Sequence, residues 1–152
     1  MIPFALITIT AVCHFGAGGA LPDHRCTPGA LNPAVTQATI QKTICVLGWT
    51  ATIRPPESVT EPEKFASMAQ YGVTNPRLYE YDHLIALELG GAPDNLRNLW
   101  PEPHKVTIAG KSFGSFVKDG VESRLKHEVC DGTMTLARAR AIIRTDWRKA
   151  IP

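Results

Sequence analysis

An adjacent carboxylate and imidazole, Asp82 and His83, form the pair with the clearest chemical potential in this 152-residue chain. An imidazole with an unperturbed pKa of about 6.5 can take a proton from water near neutral pH. A carboxylate is a hard oxygen ligand that suits a divalent cation. The Gly90–Gly91 turn follows, and Asn98 lies fifteen residues after His83. Adjacent residues of a flat strand point to opposite faces, but a twisted hairpin packed on a helix could still bring both toward one phosphate.

Hydrolysis of a phosphodiester needs a deprotonated water, a neutralised phosphorane and a stabilised leaving oxygen. An imidazole can supply the first, and a bound divalent cation can supply the other two. An asparagine on the returning strand can hydrogen-bond back to the loop and fix the orientation of the histidine. The residue types at 82, 83 and 98 therefore indicate water-activating chemistry at a phosphate.

The segment that carries these residues, YEYDHLIALELGGAPDNLRNLWPEPH, resembles the core of the HNH (His-Me finger, ββα-metal) endonucleases. The resemblance implies that His83 is the general base, Asp82 a metal ligand and Asn98 the residue that organises the loop. It also implies one divalent metal ion, Mg²⁺ or alternatively Mn²⁺ or Zn²⁺. The chain is similar almost throughout to a group of small secreted bacterial proteins with this motif, in CTPGALNPAVTQATIQKTICVLGW, DHLIALELGG, NLWPEP, KDGVESRL and TLARARAIIRTDW.

Two positions depart from the pattern of that family. Ala86 stands where many relatives have proline, which affects strand geometry. The last motif residue is normally His or Asn on the helix after the hairpin, but position 114, near the predicted start of that helix, is Gly. The remaining candidate metal ligands beside Asp82 are His104, Asp119 and Glu122.

Each of these three candidates has an alternative interpretation. His104 comes six residues after Asn98 and equally fits an ordinary loop residue. Asp119 and Glu122 are three positions apart on one helix face. On a solvated face they would pair with neighbouring cations, namely Lys118, Arg124 or Lys126.

The basic residues are concentrated near the end of the chain. The formal charge is only +2, but residues 104–152 carry ten Lys and Arg against five Asp and Glu. Arg140, Arg144 and Arg148 recur every four positions and predict a basic stripe on the last helix. Such a stripe can be a solvated face or can hold backbone phosphates of nucleic acid, most simply DNA.

The first twenty residues contain no Lys, Arg, Asp or Glu and resemble an export signal. An apolar run from Ile2 to Val12 precedes small residues, so cleavage is predicted after Ala20, leaving a domain over 21–152. The run is too short for a stable membrane span, although a basic start is missing and a buried N-terminal strand is the alternative. We expect a secreted or periplasmic bacterial monomer without membrane contact after cleavage.

Cleavage at that point would remove Cys13 and leave Cys26, Cys45 and Cys130. None of the cysteines are spaced as C-x-x-C, which argues against a zinc ribbon. An exported protein would form one disulfide and keep one thiol. Cys26 with Cys45 is the favoured pairing, and Cys130 could be the partner of either.

The order of elements predicts an α+β fold, a single domain with a ββα-metal (HNH) core flanked by helices. Helices are predicted from Asn32–Pro33 to about Thr43 and from Glu61–Pro62 to Gly72, with a strand at 46–53 between them. Strands at about 79–88 and 98–100 come next. Two amphipathic helices complete the order, one over about 112–130 and one capped by Thr135.

These features predict an exported, metal-dependent endonuclease that cleaves DNA or RNA. The alternative is a catalytically silent exported binding module that retains the HNH fold, since the last ligand is missing. A metalloprotease is disfavoured because His127–Glu128 lacks the second histidine of H-E-x-x-H. A serine hydrolase is also disfavoured, because the sequence contains no nucleophile elbow.

Overall fold

The computed structural model of the protein describes residues 12–152. They form a single domain of the predicted α+β class, in which short 3₁₀ turns connect the helices and strands. In chain order the elements are α1 (Trp49–Ile53), α2 (Glu57–Gln70), β1 (Tyr79–His83), β2 (Leu99–Pro103), β3 (Val106–Ile108), β4 (Lys111–Phe113), α3 (Ser115–Cys130) and α4 (Leu136–Asp146).

The strands form two separate antiparallel pairs. β1 pairs with β2 in a register that sets Tyr79 opposite Pro103 and His83 opposite Leu99. β3 and β4 form a tight hairpin that the sequence did not predict. Its turn is made by Ala109 and Gly110, which both have positive φ (49° and 77°), as a two-residue hairpin loop of the twisted kind requires.

The core lies between the β1–β2 pair and the last two helices. Trp100 on β2 and Trp147 just after α4 are fully buried, as are Leu125 on α3 and Ile143 on α4. The indole Nε1 of Trp147 donates to the backbone oxygen of Ala20 at 3.0 Å. Both strands of the β1–β2 pair also pack on α2, and the loop that follows β1 packs on α3 and α4 in a continuous apolar core.

Both predicted C-terminal helices are present. The Thr135 side chain accepts from the backbone N–H of Arg138 and caps α4, as its position predicted. α3 begins at Ser115, three residues later than expected, because Ser112 belongs to β4. α2 begins at Glu57, four residues before its predicted start, and accommodates Pro62 in its interior.

The predictions for 32–53 were wrong. Asn32 and Thr39 bond to nearby backbone instead of starting a helix, and only Ile40–Lys42 makes a single 3₁₀ turn. Such local side-chain bonds compete with helix formation. The expected strand at 46–53 is instead the short helix α1, preceded by Gly48 with φ of 79°. The apolar residues of segment 46–53 therefore mark neither a strand nor a deeply buried segment. Leu47, for example, is 97% exposed.

Two disulfides, Cys13–Cys26 and Cys45–Cys130, replace the pairing that we favoured between Cys26 and Cys45. The prediction was wrong because it left Cys13 out of the folded domain. Cys13 is buried and its backbone N–H donates to Gln70 at the end of α2. Two disulfides fit a protein of an oxidising compartment.

The predicted signal segment is covered only in part, since residues 1–11 lie outside the described residues. Cleavage after Ala20 stays a prediction, and its structural consequences are clear. It would remove Cys13 with its disulfide, and also Ala20, which is buried and accepts from Trp147. In the part of the chain that the structure describes, no helix is long and apolar enough to cross a membrane.

The two disulfides should differ in their contribution to stability. Cys45 and Cys130 are 85 positions apart, whereas Cys13 and Cys26 are 13 apart. A crosslink over a longer loop restricts the unfolded chain more, so Cys45→Ser/Cys130→Ser should lower the free energy of unfolding by roughly 2–5 kcal/mol. Cys13→Ser/Cys26→Ser, the matched control, should lower it less in urea unfolding. A Cys26–Cys45 crosslink in peptides mapped without reductant would contradict the pairing.

Candidate functional site

The motif segment starts as a strand and then turns into a buried loop. The β1–β2 ladder ends where the Leu84 N–H donates to the Asn98 carbonyl at 2.7 Å. The prediction of a strand that continues to Glu88 is therefore wrong after His83. Leu87–Leu89 form a 3₁₀ turn instead. Leu84, Ile85, Ala86, Leu87 and Leu89 are all buried, so their alternation does not mark two faces of a strand.

Asn98 holds this loop with its side chain. Its Oδ1 accepts from the Ile85 N–H at 2.9 Å, and its Nδ2 donates to the carbonyls of Ile85 at 3.0 Å and Ala92 at 3.1 Å. The residue is completely buried. These bonds satisfy backbone groups that have left the sheet and could not reach water. Asn98 thus makes the loop contacts that the sequence analysis expected of it.

The glycine pair of the loop is required by space. A Cβ on Gly91 would lie 1.8 Å from the Ile85 carbonyl oxygen and 2.7 Å from Nδ2 of Asn98. Gly90 has φ of 77°, and a Cβ there would collide with Arg140 and Val35. The loop can close around the Asn98 amide only without side chains at these positions.

His83 ends β1 with its imidazole fixed by one nitrogen. Nε2 lies 2.9 Å from the carbonyl oxygen of Pro93, which can only accept, so Nε2 carries the proton. Nδ1 then has a free lone pair and no hydrogen-bond partner among residues 12–152. Burial lowers the pKa of His83 below its usual value, so the ring is uncharged at neutral pH.

A cavity of about 220 Å³ lies beside this imidazole. It is bounded by β1, the loop, α3 and the end of α1, and Arg54 is the exposed cation on its wall. Asp82 and His83 both line it, although they are neighbours on a strand, because β1 ends between the loop and α3. The cavity is markedly acidic, with carboxyl groups from Glu80, Asp82, Glu88, Asp119 and Glu122.

Beneath the cavity, the ammonium of Lys118 is enclosed by oxygen atoms. Its Nζ donates to Asp82 Oδ2 and Glu122 Oε1, both at 2.5 Å, and to the His83 carbonyl at 2.8 Å. Oε2 of Glu102 lies 3.5 Å away. The lysine is completely buried. We call Lys118, Asp82, Glu102 and Glu122 the lysine cluster.

The lysine cluster is close to electrically neutral. Burial opposes the charge on Lys118, but Asp82, Glu122 and Glu102 hold its pKa well above the usual value. Burial also opposes ionisation of Asp82, yet Lys118 keeps the pKa of that carboxyl below its usual value. Burial raises the pKa of Glu122 to about 8 and that of Glu102 well above its ordinary range. The directions of these pKa shifts favour the charged form of Lys118 and Asp82 and the protonated form of Glu102 and Glu122.

Three of the four predicted metal ligands line this cavity, but only two of them meet. Asp82 and Glu122 meet, but both bind Lys118. Asp119 is exposed on the cavity wall. His104 does not line the cavity, and its Nδ1 lies 3.1 Å from the Ser115 hydroxyl and 3.9 Å from Oε2 of Glu80. No group of three or more His, Cys, Asp and Glu within residues 12–152 is arranged to hold a metal ion. The oxygen donors suit a divalent cation chemically, but the ammonium occupies the point where they converge.

The predicted basic stripe is not continuous. Arg140 donates to the backbone carbonyls of Leu89, Gly90 and Val35 and supports the loop from behind. α4 ends at Asp146, before Arg148, whose guanidinium binds that aspartate at 2.8 Å. Of the three arginines of the predicted stripe, only Arg144 is exposed and makes no such bond to the part of the chain that the structure describes.

Sequence reasoning missed Lys118, Glu102 and Arg54 as residues of the site. The sequence did offer one signal, the i, i+4 spacing of Lys118 and Glu122, which predicted their pairing but on a solvated face. Nothing in the local pattern distinguishes Glu102, in the motif's WPEP segment, from an exposed strand residue. Its complete burial follows from packing against α3.

Replacement of Asn98 by alanine should open the loop. The change leaves three buried backbone groups without partners and should lower the free energy of unfolding by on the order of 3 kcal/mol. Asn95→Ala is the matched control, because exposed Asn95 only caps a 3₁₀ turn. Chemical denaturation measures both. Equal effects of the two substitutions would contradict the role of Asn98 as the loop clamp.

Removal of the buried ammonium should be costly. Lys118→Met leaves Asp82 without its counter-charge and should lower the free energy of unfolding by about 3–5 kcal/mol at neutral pH. Lys126→Met on the same helix should change it by less than about 0.5 kcal/mol, because Lys126 has no ion pair within residues 12–152. Guanidinium unfolding of both variants tests this, and a Lys118→Met protein as stable as wild type would refute it.

Comparison with known proteins identifies no relative of this chain. No protein-family model matches the chain, and neither a curated protein nor a solved structure does. The function of the site must therefore be argued from its residues.

Proposed function

We propose that this chain is an exported endonuclease of the HNH type, which hydrolyses phosphodiester bonds of DNA or RNA with His83 as the general base. One observation carries the proposal. His83 lines the cavity, its uncharged imidazole is fixed through Nε2, and its Nδ1 has no hydrogen-bond partner among residues 12–152. The Asn98 clamp and the glycine turn, at the spacing typical of that family, support it.

The reaction follows from the groups on the cavity wall. Nδ1 of His83 takes a proton from a water molecule, and the water oxygen forms a bond to phosphorus. The bond from phosphorus to the leaving oxygen breaks, and that oxygen takes a proton from solvent. Arg54 is the exposed cation that can pair with a phosphate oxygen during these steps. None of the steps depends on the metal ion that the family resemblance implies.

The two disulfides support an extracytoplasmic location, either secreted or periplasmic. Polyanion binding would have to occur against a cavity rich in carboxyl groups. The charge of Asp82 is already compensated by Lys118, and Glu122 is mostly protonated at neutral pH. The electrostatic opposition to a phosphate is therefore smaller than the number of acidic residues indicates.

A second candidate is a non-catalytic exported module that binds a partner through this fold. The observation that favours it is the position of Lys118, whose ammonium hydrogen-bonds to two of the predicted metal ligands, Asp82 and Glu122. A binding module would keep the loop clamp for stability and would have no use for a free imidazole nitrogen. Nuclease activity that depends on His83 separates the two candidates.

Loss of the imidazole should abolish hydrolysis without unfolding the protein. His83→Ala should reduce nicking of supercoiled plasmid by about 10²–10⁴-fold, the usual contribution of a general base. His127→Ala, an exposed histidine on α3, is the matched control and should keep full activity. The assay uses the full disulfide-bonded chain with EDTA, Mg²⁺ or Mn²⁺ in parallel. Equal nicking by wild type and His83→Ala, or none by wild type in any condition, would refute the proposal.

The activity should persist into mildly acidic solution. The base must be uncharged, and burial lowers the pKa of His83, so the active form prevails at pH 6.5. Nicking should decline only as the pH falls through that lowered pKa. A pH profile of the initial rate tests this prediction. A midpoint of the acidic limb above 6.5 would contradict an uncharged, buried imidazole.

A further inference from the structure

Three protein oxygens approach the ammonium of Lys118 within hydrogen-bond distance, and they come from two different elements. Asp82 Oδ2 and the His83 carbonyl belong to β1, and Glu122 Oε1 belongs to α3. An ammonium has three N–H donors, so these three oxygens satisfy it. The fourth nearby oxygen, from Glu102, lies 3.5 Å away.

Glu102 adds a further carboxyl group behind the oxygens that contact the ammonium. It is completely buried, and its carboxyl group hydrogen-bonds to Asp82. The atoms that converge on the ammonium itself are two carboxyl oxygens and one carbonyl oxygen. These are hard oxygen donors of the kind that a divalent cation takes.

We propose that the Lys118 ammonium is a built-in replacement for a divalent cation at Asp82. The chain binds no divalent ion in the lysine cluster, and removal of the ammonium creates a site for one. If the chain has the proposed nuclease function, on which this part rests, its hydrolysis needs no added metal ion.

Lys118 acts through other groups and does not touch the substrate. It is completely buried below the cavity, so its role is that of a positioning residue. It fixes the Asp82 carboxylate and the His83 carbonyl, which join the cavity wall to α3. A divalent ion bound by the same oxygens would hold these groups in the same relation.

Metal titration of the wild-type chain and of Lys118→Ala tests the replacement directly. Isothermal calorimetry with Mn²⁺ or Ca²⁺ should show no binding to wild type and one ion per chain for Lys118→Ala. The Tm of Lys118→Ala should rise with the metal concentration, as binding to the folded state requires, while that of wild type stays constant. Lys126→Ala is the matched control and should behave like wild type.

Two results would overturn the inference. One is a wild-type chain that binds a divalent ion and loses it in Asp82→Asn. The other is a folded Lys118→Ala that binds none. If Lys118→Ala is unfolded without metal, circular dichroism should show that Mn²⁺ restores its helical signal. Failure of Mn²⁺ and Ca²⁺ to restore it would also count against the inference.

Nicking assays keep this inference separate from the proposed nuclease function. Activity of wild type that is unchanged by EDTA supports both. Activity that appears only with added Mg²⁺ or Mn²⁺ overturns the inference and leaves the nuclease function intact. Absence of nicking in every condition refutes the nuclease function, and the metal titration still decides whether Lys118 replaces a cation.

Discussion

The burial of one ammonium constrains the whole arrangement around the cavity. An isolated charge in the interior is highly unfavourable, and a protein tolerates it only with counter-charge and full hydrogen bonding. Lys118 obtains its counter-charge from Asp82 on β1 and a further hydrogen-bond acceptor from Glu122 on α3, with Glu102 of β2 nearby. The hairpin and α3 cannot slide past each other without separating these charges. The cluster therefore fixes the relative position of the elements that form the cavity.

The loop above the cluster meets a second constraint, the hydrogen-bonding need of buried backbone. After His83 the chain leaves the sheet but remains in the interior, where it has no access to water. Asn98 supplies the missing partners because its amide both donates and accepts. The closed loop brings the Pro93 carbonyl to Nε2 of His83, which selects the tautomer with a free Nδ1. The fifteen-residue spacing of His83 and Asn98 thus has a physical cause.

Local patterns were sufficient for the elements whose stability is local. The capped helix after Thr135, the apolar repeat of α3 and the roles of Gly91 and Asn98 in the loop followed from residue types and spacing. The structure of segment 32–53 could not be predicted in this way, because it involves the Cys45–Cys130 disulfide and side chains that bond to nearby backbone. The sequence analysis also left Cys13 outside the domain, so it could not identify the partner of Cys26.

The lysine cluster shows why the site itself was only half predictable. A lysine four positions before a glutamate on a helix is usually a solvated pair worth little. Its burial here depends on Asp82 and Glu102, which are far from it in the sequence and come close only after the hairpin packs on α3. Residue spacing could therefore predict that His83 and Asn98 lie at one loop, but not the cation that compensates Asp82.

The two cations at the cavity, Arg54 on its wall and Lys118 beneath it, have different electrostatic roles in the proposed reaction. Lys118 is enclosed, so salt screens its charge weakly, and it compensates Asp82 before any substrate arrives. Arg54 is exposed, so its charge is screened more strongly, but only it can contact a phosphate directly. A charge that is fixed in place needs no reorganisation when negative charge develops nearby. A buried lysine can thus compensate the charge of Asp82 beside His83 permanently, while the contact with substrate is made by a residue that can move.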